Sequence, residues 1–211
     1  MGSKVFITAT DTDAGKTWIT ASAIRTLLKE GRDAKALKPI ACGVDDNGQY
    51  TDIETLQAAQ RLHATNQINL YRFSMAAAPS QAAANEGRQI DPQQLVAWCN
   101  EMSSDGEITL IEGVGGLMVP LTDTWLVSDW IQALPDAEVW LVVACRLGAI
   151  NQALLSLDKL KMMGRLPDRI IFNATNQAAD AWVKPVADAV TPFIPESCKV
   201  DQMRFCHQLA S

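Results

Sequence analysis

Histidine is nearly absent from this sequence: its 211 residues include two, His63 and His207. They stand far apart, with no ligand-spaced company, so a histidine metal centre is not expected. Cysteine offers no framework either. Cys42, Cys99, Cys145, Cys198 and Cys206 are odd in number and form no Cys-x-x-Cys pair. That excludes an ordinary disulfide or zinc scaffold and points to a reducing compartment. Basic clusters are missing as well. Lys and Arg total 18 against 24 Asp and Glu, a net charge of −6. Nucleic acid and anionic membrane surfaces are therefore not expected partners. No apolar run is long enough to span a bilayer. Val5–Ala9 is too short for the core of a secretory signal and runs into a polar loop. The expectation is a cytoplasmic protein. Repeats, low-complexity tracts and linkers are lacking too. Residues 1–211 read as a single domain, large enough to bury a substantial core.

What is present is alternation. Apolar strands and amphipathic helices follow one another, the order of a mainly parallel sheet with helices on both faces. Val5–Ala9 reads as the first strand. A helix follows from Lys16 to Glu30, with Ile19, Ala23 and Leu27 on one face, and Gly31 stops it. Ala34–Leu37 reads as a strand and Asp52–Leu62 as a helix with Ile53, Leu56, Ala58 and Ala59 inward. Thr65–Arg88, rich in Ala, Asn and Gln, reads as loop. Asp91-Pro92 opens a helix through Met102, an Asp cap with Pro at the first helical position. Strands are expected at Ile108–Ile111, Val139–Val143, Arg169–Phe172 and, last, Phe193–Ile194. Helices are expected at Asp123–Leu134, Ile150–Leu160 and Asp180–Val190.

The most informative stretch runs from Val5 to Thr17. A buried strand passes into the polar loop Thr10-Asp11-Thr12-Asp13-Ala14, and Gly15-Lys16-Thr17 opens a helix. That order builds a phosphate cradle, because loop amides and a helix N-terminus both aim N–H groups at an anion. In such a loop Lys16 reaches the β- and γ-phosphates and the Thr17 hydroxyl faces Mg²⁺. The strict pattern places a glycine where this chain has Thr10.

A second signal lies at Thr109-Leu110-Ile111-Glu112-Gly113-Val114-Gly115-Gly116, an apolar strand that ends in a carboxylate and glycines. Alone it is as readily an ordinary turn. Beside Gly15-Lys16-Thr17 it reads as the metal side of a nucleotide site, since open α/β sheets bind ligands at the carboxyl ends of their strands. Lys38-Pro39-Ile40-Ala41-Cys42-Gly43 follows the second strand, which puts Lys38 on the same rim, with Asp52 at a nearby helix start. Lysines and carboxylates around one triphosphate suit phosphoryl transfer.

Taken together, these residues resemble the dethiobiotin synthetase family. The likeness rests on Thr8-x-Thr10-Asp11-Thr12-x-x-Gly15-Lys16-Thr17, Lys38-Pro39-x-x-x-Gly43, Asp52, Glu112-Gly113-x-Gly115-Gly116-x-x-x-Pro120-Leu121, Ser128-Asp129-Trp130 and Leu147-Gly148-x-Ile150-Asn151. It runs from Val5 to about Asn173. The resemblance implies a P-loop NTPase-like three-layer α/β sandwich. It also implies a reaction: 7,8-diaminononanoate, CO₂ and MgATP give dethiobiotin, ADP and phosphate through a carbamate and a carbamoyl phosphate, in biotin biosynthesis.

Residue by residue, the likeness makes Lys16, Lys38 and Thr12 catalytic. It assigns Mg²⁺ to Thr17, Asp52 and Glu112. Nucleotide contacts fall to Asp13, Ala14, Gly15, Lys16, Thr17, Trp18, Asp52, Glu112, Gly113, Val114, Gly115, Asn173 and Pro195. The diamine falls to Thr12, Asp13, Lys38 and Cys42, and its carboxylate to a helix start at Leu147, Gly148, Ile150 and Asn151. In the family that helix comes from the other subunit, so a homodimer is implied. The chain departs from the family pattern with Ala9 for a glycine, Asp13 for a glutamate and Cys42 for a serine. A glycine usual in the base loop is also missing.

The rival expectation is a switch ATPase of the same fold, regulated by a protein partner. Its mark is an extra lysine between the first strand and Gly15, and none occurs among Thr10–Ala14.

Overall fold

A computed structural model of the chain describes residues 2–60 and 67–205. His63, His207 and Cys206 lie outside the described residues, as does Leu62, the expected end of a helix. The elements run in the order β1 (Ser3–Ala9), α1 (Lys16–Lys29), β2 (Ala34–Leu37), β3 (Ile40–Cys42), α2 (Thr51–Gln60), β4 (Tyr71–Phe73), α3 (Pro79–Asn85) and α4 (Pro92–Met102). They continue as β5 (Ile108–Glu112), α5 (Val127–Gln132), β6 (Ala137–Ala144), α6 (Ala149–Met162), β7 (Arg169–Asn173), α7 (Asp180–Val190) and β8 (Lys199–Met203).

Six strands form one sheet in the order β2-β5-β1-β6-β7-β8, and each neighbouring pair is parallel. Parallel strands need crossovers, and the helices supply them. Val5 to Ala9 of β1 and Val142 to Ala144 of β6 are consecutively buried. Strands point alternate side chains to opposite faces, so unbroken burial means both faces are covered. The fold is the α/β sandwich expected. Trp130 of α5, fully buried, packs edge-on against Phe6 of β1 with ring centroids 4.8 Å apart.

The order of strands positions the site. β2, β5 and β1 are adjacent, so their carboxyl ends bring Lys38, Glu112 and the loop after Ala9 to one rim. A second, two-stranded sheet of β3 and β4 continues from that rim. At Ala9 the strand is ordinary: it pairs with Val142 and its φ is negative. The departure from glycine therefore costs no strain there.

Several expectations needed correction. Phe193–Ile194 is not a strand; Thr191–Phe193 is a short 3-10 turn with Pro192 inside its start, and Phe193 is exposed. The last strand is β8, whose sequence Lys-Val-Asp-Gln-Met is polar because it lies at the sheet edge. Thr65–Arg88 is not all loop. It holds β4 and α3, whose Pro79, Ala82 and Ala83 are buried. The helix expected at Asp123–Leu134 begins four residues later, at Val127. Leu126 N–H donates to Asp129 Oδ2 (2.8 Å), which sets that start, while Thr122 N–H and Leu121 N–H turn back on Trp125 O. The helix at Pro92 starts as expected, with Asp91 Oδ1 accepting from Gln93 and Gln94 N–H.

Candidate active site

The phosphate loop begins where β1 ends. Gly15 caps α1 with φ 90°, a left-handed conformation, and a Cβ built there would lie 2.3 Å from Asn173 Nδ2. Glycine is thus required twice over, by conformation and by space. Asp13 also takes a positive φ, 56°. For a residue with a side chain that is a sparsely populated conformation, and aspartate tolerates it better than most.

Lys16 is buried at 6% exposure, and its Nζ donates to two carbonyls, Gly115 O (2.9 Å) and Asp11 O (3.3 Å). Burial, and then the charge of Lys38, push its pKa down to about 8 against the partial pull of Glu112, Asp52 and Asp13. This ammonium is under-compensated, and an anion placed beside it would relieve that.

Lys38 and Glu112 form the buried heart of the site, at 2% and 0% exposure. Lys38 Nζ donates to Glu112 Oε1 (2.6 Å), to Asp52 Oδ2 (2.9 Å) and to Gly113 O (3.3 Å). Burial alone would drag the Lys38 pKa down, but Glu112 and Asp52 outweigh it and hold it above the usual lysine range. Asp52 shows the complement: burial raises its pKa, and Lys38, Thr17 and Lys16 bring it below the usual range.

Thr17 Oγ1 lies 2.7 Å from Asp52 Oδ1 and 2.7 Å from Glu112 Oε1. One hydroxyl proton serves one carboxylate at a time. Glu112 Oε2 is buried with no partner. The three residues therefore gather oxygen ligands, one of them unsatisfied, at the mouth of the phosphate loop. That donor set fits a hard cation such as Mg²⁺, which takes one or two carboxylates together with phosphate oxygens.

A cavity of about 810 Å³ opens over this cluster. It is lined by Thr12, Asp13, Gly15, Lys16, Thr17, Trp18, Lys38, Cys42, Asp52, Glu112, Val114, Gly115 and Asn173, all expected from sequence. Cys42 is a neutral thiol there, burial raising its pKa to about 11. Ala14 is buried behind the loop, and Gly113 closes on β1, its N–H donating to Ile7 O (2.9 Å). Asn173 does double service. Its Nδ2 donates to Ala14 O (2.9 Å), bracing the loop, while its Oδ1 is buried without a partner.

Other expected residues are not brought together with these. Pro195 is not part of the cavity wall; Arg204 and Phe205, after β8, line it instead. Leu147, Gly148, Ile150 and Asn151 also lie outside the cavity and are exposed on the surface at the start of α6. An ion pair between Arg146 Nη2 and Asp11 Oδ2 (2.6 Å) ties that surface to the phosphate loop. Sequence reasoning missed Thr51, Thr55, Ala76–Pro79, Val119, Ala174, Thr175, Arg204 and Phe205. Thr55 stands three residues after Asp52 on α2 and four after Thr51, and that helical spacing could have found them. No periodic signal marked the others.

A family profile described as an AAA domain matches residues 3–202. The ATP-dependent dethiobiotin synthetase BioD of Methylobacterium nodulans is 40% identical over 169 residues, 75% of either chain. That of Wolinella succinogenes is 36% identical over 162 residues, 74% of either chain. The crystal structure of the hydrogenase maturation factor HypB from Archaeoglobus fulgidus aligns with 96% of this chain and 81% of its own. Its TM-score is 0.59 at 17% identity, a likeness of fold alone. With the fold, the cavity over two buried lysines and these relatives in place, the chain belongs to the ATP-dependent dethiobiotin synthetase family.

Proposed function

We propose that the cavity binds MgATP along the phosphate loop and 7,8-diaminononanoate beside Lys38, within a domain spanning residues 1–211. This is a residue-level account of the family's activity, an ATP-dependent ligase step of biotin biosynthesis. The observation that carries it is the pairing of two buried lysines. Lys16 is held by carbonyls alone, and Lys38 is held by the two carboxylates that also meet at Thr17.

The chemistry asks for such a site. A substrate amine attacks CO₂ and loses a proton, giving a carbamate. The carbamate oxygen attacks the γ-phosphorus and ADP leaves. The second amine then attacks the carbonyl carbon, the C–O bond breaks, and phosphate departs as the ring closes. Both partners of the phosphoryl step are anions, so their approach needs fixed positive charge. Lys16 supplies it on the phosphates. Lys38, at the carboxyl end of β2, supplies it where carbamate and γ-phosphate meet. Thr17, Asp52 and Glu112 would hold Mg²⁺, which supplies charge neutralisation on the phosphate oxygens. Thr12, Asp13 and Cys42 line the cavity; in this reading Thr12 and Asp13 would stand between the two substrates and Cys42 on the diamine side. Trp18, Val114, Gly115 and Asn173 complete the nucleotide wall.

The carboxylate end of the diamine needs donors beyond an apolar wall. The start of α6, capped by Gly148, offers amides flanked by exposed Leu147 and Ile150. These residues lie outside their own cavity, which supports a homodimer in which they complete the neighbour's site. No helix among the described residues is long and apolar enough to cross a membrane, in keeping with a cytoplasmic enzyme.

The test is ADP release measured with and without the diamine and bicarbonate. Release that depends on both supports this reading. Release indifferent to both supports a switch ATPase of the same fold.

A further inference from the structure

We infer that Asn69, a residue outside the cavity, is a positioning residue for Lys38; the inference rests on the reading of Lys38 as the cation of the phosphoryl step. Lys38-Pro39 is a short strap that carries the chain from β2 of the main sheet to β3 of the small one. Pro39 brings no N–H and restricts Lys38 to extended backbone. The strap therefore has three hydrogen-bonding groups, and all three bond to residues 68–71. Lys38 N–H donates to Ile68 O (2.7 Å), and Pro39 O accepts from Tyr71 N–H (2.8 Å) and Leu70 N–H (3.2 Å). The remaining group, Lys38 O, is served by a side chain: Asn69 Nδ2 donates to it at 2.8 Å. The same Nδ2 donates to Tyr71 O (2.9 Å), which opens β4.

Asn69 is 7% exposed and Lys38 2%. A buried amide that spends both protons on two carbonyls, one of them that of Lys38, is not filling space. It fixes the Cα from which the Lys38 side chain reaches Glu112 and Asp52. The inner end of the site is anchored, since Glu112 ends β5, a strand flanked on both sides, and pairs with Ile7 of β1. The outer end, the strap, has no ladder partner in the main sheet; backbone bonds to residues 68, 70 and 71 hold its other groups, and Asn69 holds the carbonyl of Lys38 itself.

Asn69→Ala leaves Lys38 O and Tyr71 O without that donor, so the strap can drift. A misplacement of about 1 Å at a reacting group costs on the order of 100-fold, so kcat should fall ~10- to 100-fold. Asn69 touches neither the phosphate loop nor the cavity, so nucleotide affinity should stay within about threefold of the parent. Ser103→Ala is the control for mere destabilisation. It removes an equally buried side-chain bond, Ser103 Oγ to Cys99 O (2.7 Å), remote from the site, and should leave kcat unchanged.

The deciding measurement is a double-mutant cycle with Lys38→Arg. If Asn69 works through Lys38, the loss caused by Asn69→Ala shrinks to less than about threefold in the Lys38→Arg background. An equal loss in both backgrounds, or parental kcat in folded Asn69→Ala, overturns the inference. Should Asn69→Ala fail to fold, Asn69→Ser, too short to bridge both carbonyls, is read by the same criteria. Lys38→Ala with parental kcat would remove the reading of Lys38 and this inference with it. A crippled Lys38→Ala beside an unaffected Asn69→Ala would remove the inference alone.

Discussion

If Lys16 binds phosphate as proposed, it does so as the ammonium, and raising the pH from 7 to 9 should weaken nucleotide binding about tenfold. Burial and Lys38 set its pKa near 8 in the free protein, against lysine's usual 10.5. About nine-tenths of the molecules then carry the charge at pH 7 and about one-tenth at pH 9. A bound triphosphate supplies the missing counter-charge and raises that pKa, so binding takes up a proton. At pH 8.5 the uptake should be about three-quarters of a proton per nucleotide. Calorimetry in buffers of different ionisation enthalpy measures both quantities at once. Stability of the free protein moves the other way. Between pH 8 and 10.5 the unfolded chain keeps the Lys16 proton that the folded chain has released, so Lys16 makes stability rise with pH. Lys16→Arg stays charged and should flatten the binding profile. A dissociation constant unchanged from pH 7 to 9, with no proton uptake, would refute the assignment of Lys16 as a perturbed phosphate-binding amine.

Further outcomes follow from the same geometry. Lys16→Ala should abolish turnover and weaken ATP binding at neutral pH, measured by calorimetry and product assay; unchanged activity would sink the phosphate-loop assignment. Thr17→Val, Asp52→Asn and Glu112→Gln should each raise the Mg²⁺ concentration needed for half-maximal rate, and titrations that overlay the parent's would show the ligand set to be wrong. Lys38→Ala should lower kcat far more than ATP affinity. It should also cost about 3–5 kcal/mol of stability in a denaturant melt, because it leaves the fully buried Glu112 unpaired. Asn151→Ala should raise the diamine KM and spare ATP binding. Mixed with Lys16→Ala, it should regain activity, since in the proposed homodimer each mixed dimer would have one intact site; inactive purified heterodimers would place each site within one chain.

Legibility from sequence tracked locality. Gly15-Lys16-Thr17 is a contiguous signal whose geometry the chain enforces by itself, and the loop appears where the residues placed it. Glu112 and Lys38 were legible one step further out, because strand ends of a parallel sheet converge on one rim. Asp52 was legible as a first-turn carboxylate on α2. The rest was hidden for physical reasons. β8 is an edge strand with partly solvated faces, so it carries no apolar run, and Arg204 and Phe205 behind it were hidden with it. Asn69 looked like one polar residue in an irregular stretch. Its role depends on pairing with Lys38, a contact across the small sheet that no period encodes. Phe193, apolar yet exposed, misled for the opposite reason: hydrophobicity alone marks no strand.

The most direct test follows an oxygen atom. The enzyme is given MgATP, 7,8-diaminononanoate and ¹⁸O-labelled bicarbonate, and the phosphate released is analysed by mass spectrometry alongside dethiobiotin and ADP. Phosphorylation of a carbamate oxygen, with later C–O cleavage, carries one bicarbonate oxygen into each phosphate. The account predicts singly labelled phosphate, formed in step with dethiobiotin and only when the diamine is present. Unlabelled phosphate released at the same rate without the diamine would contradict it.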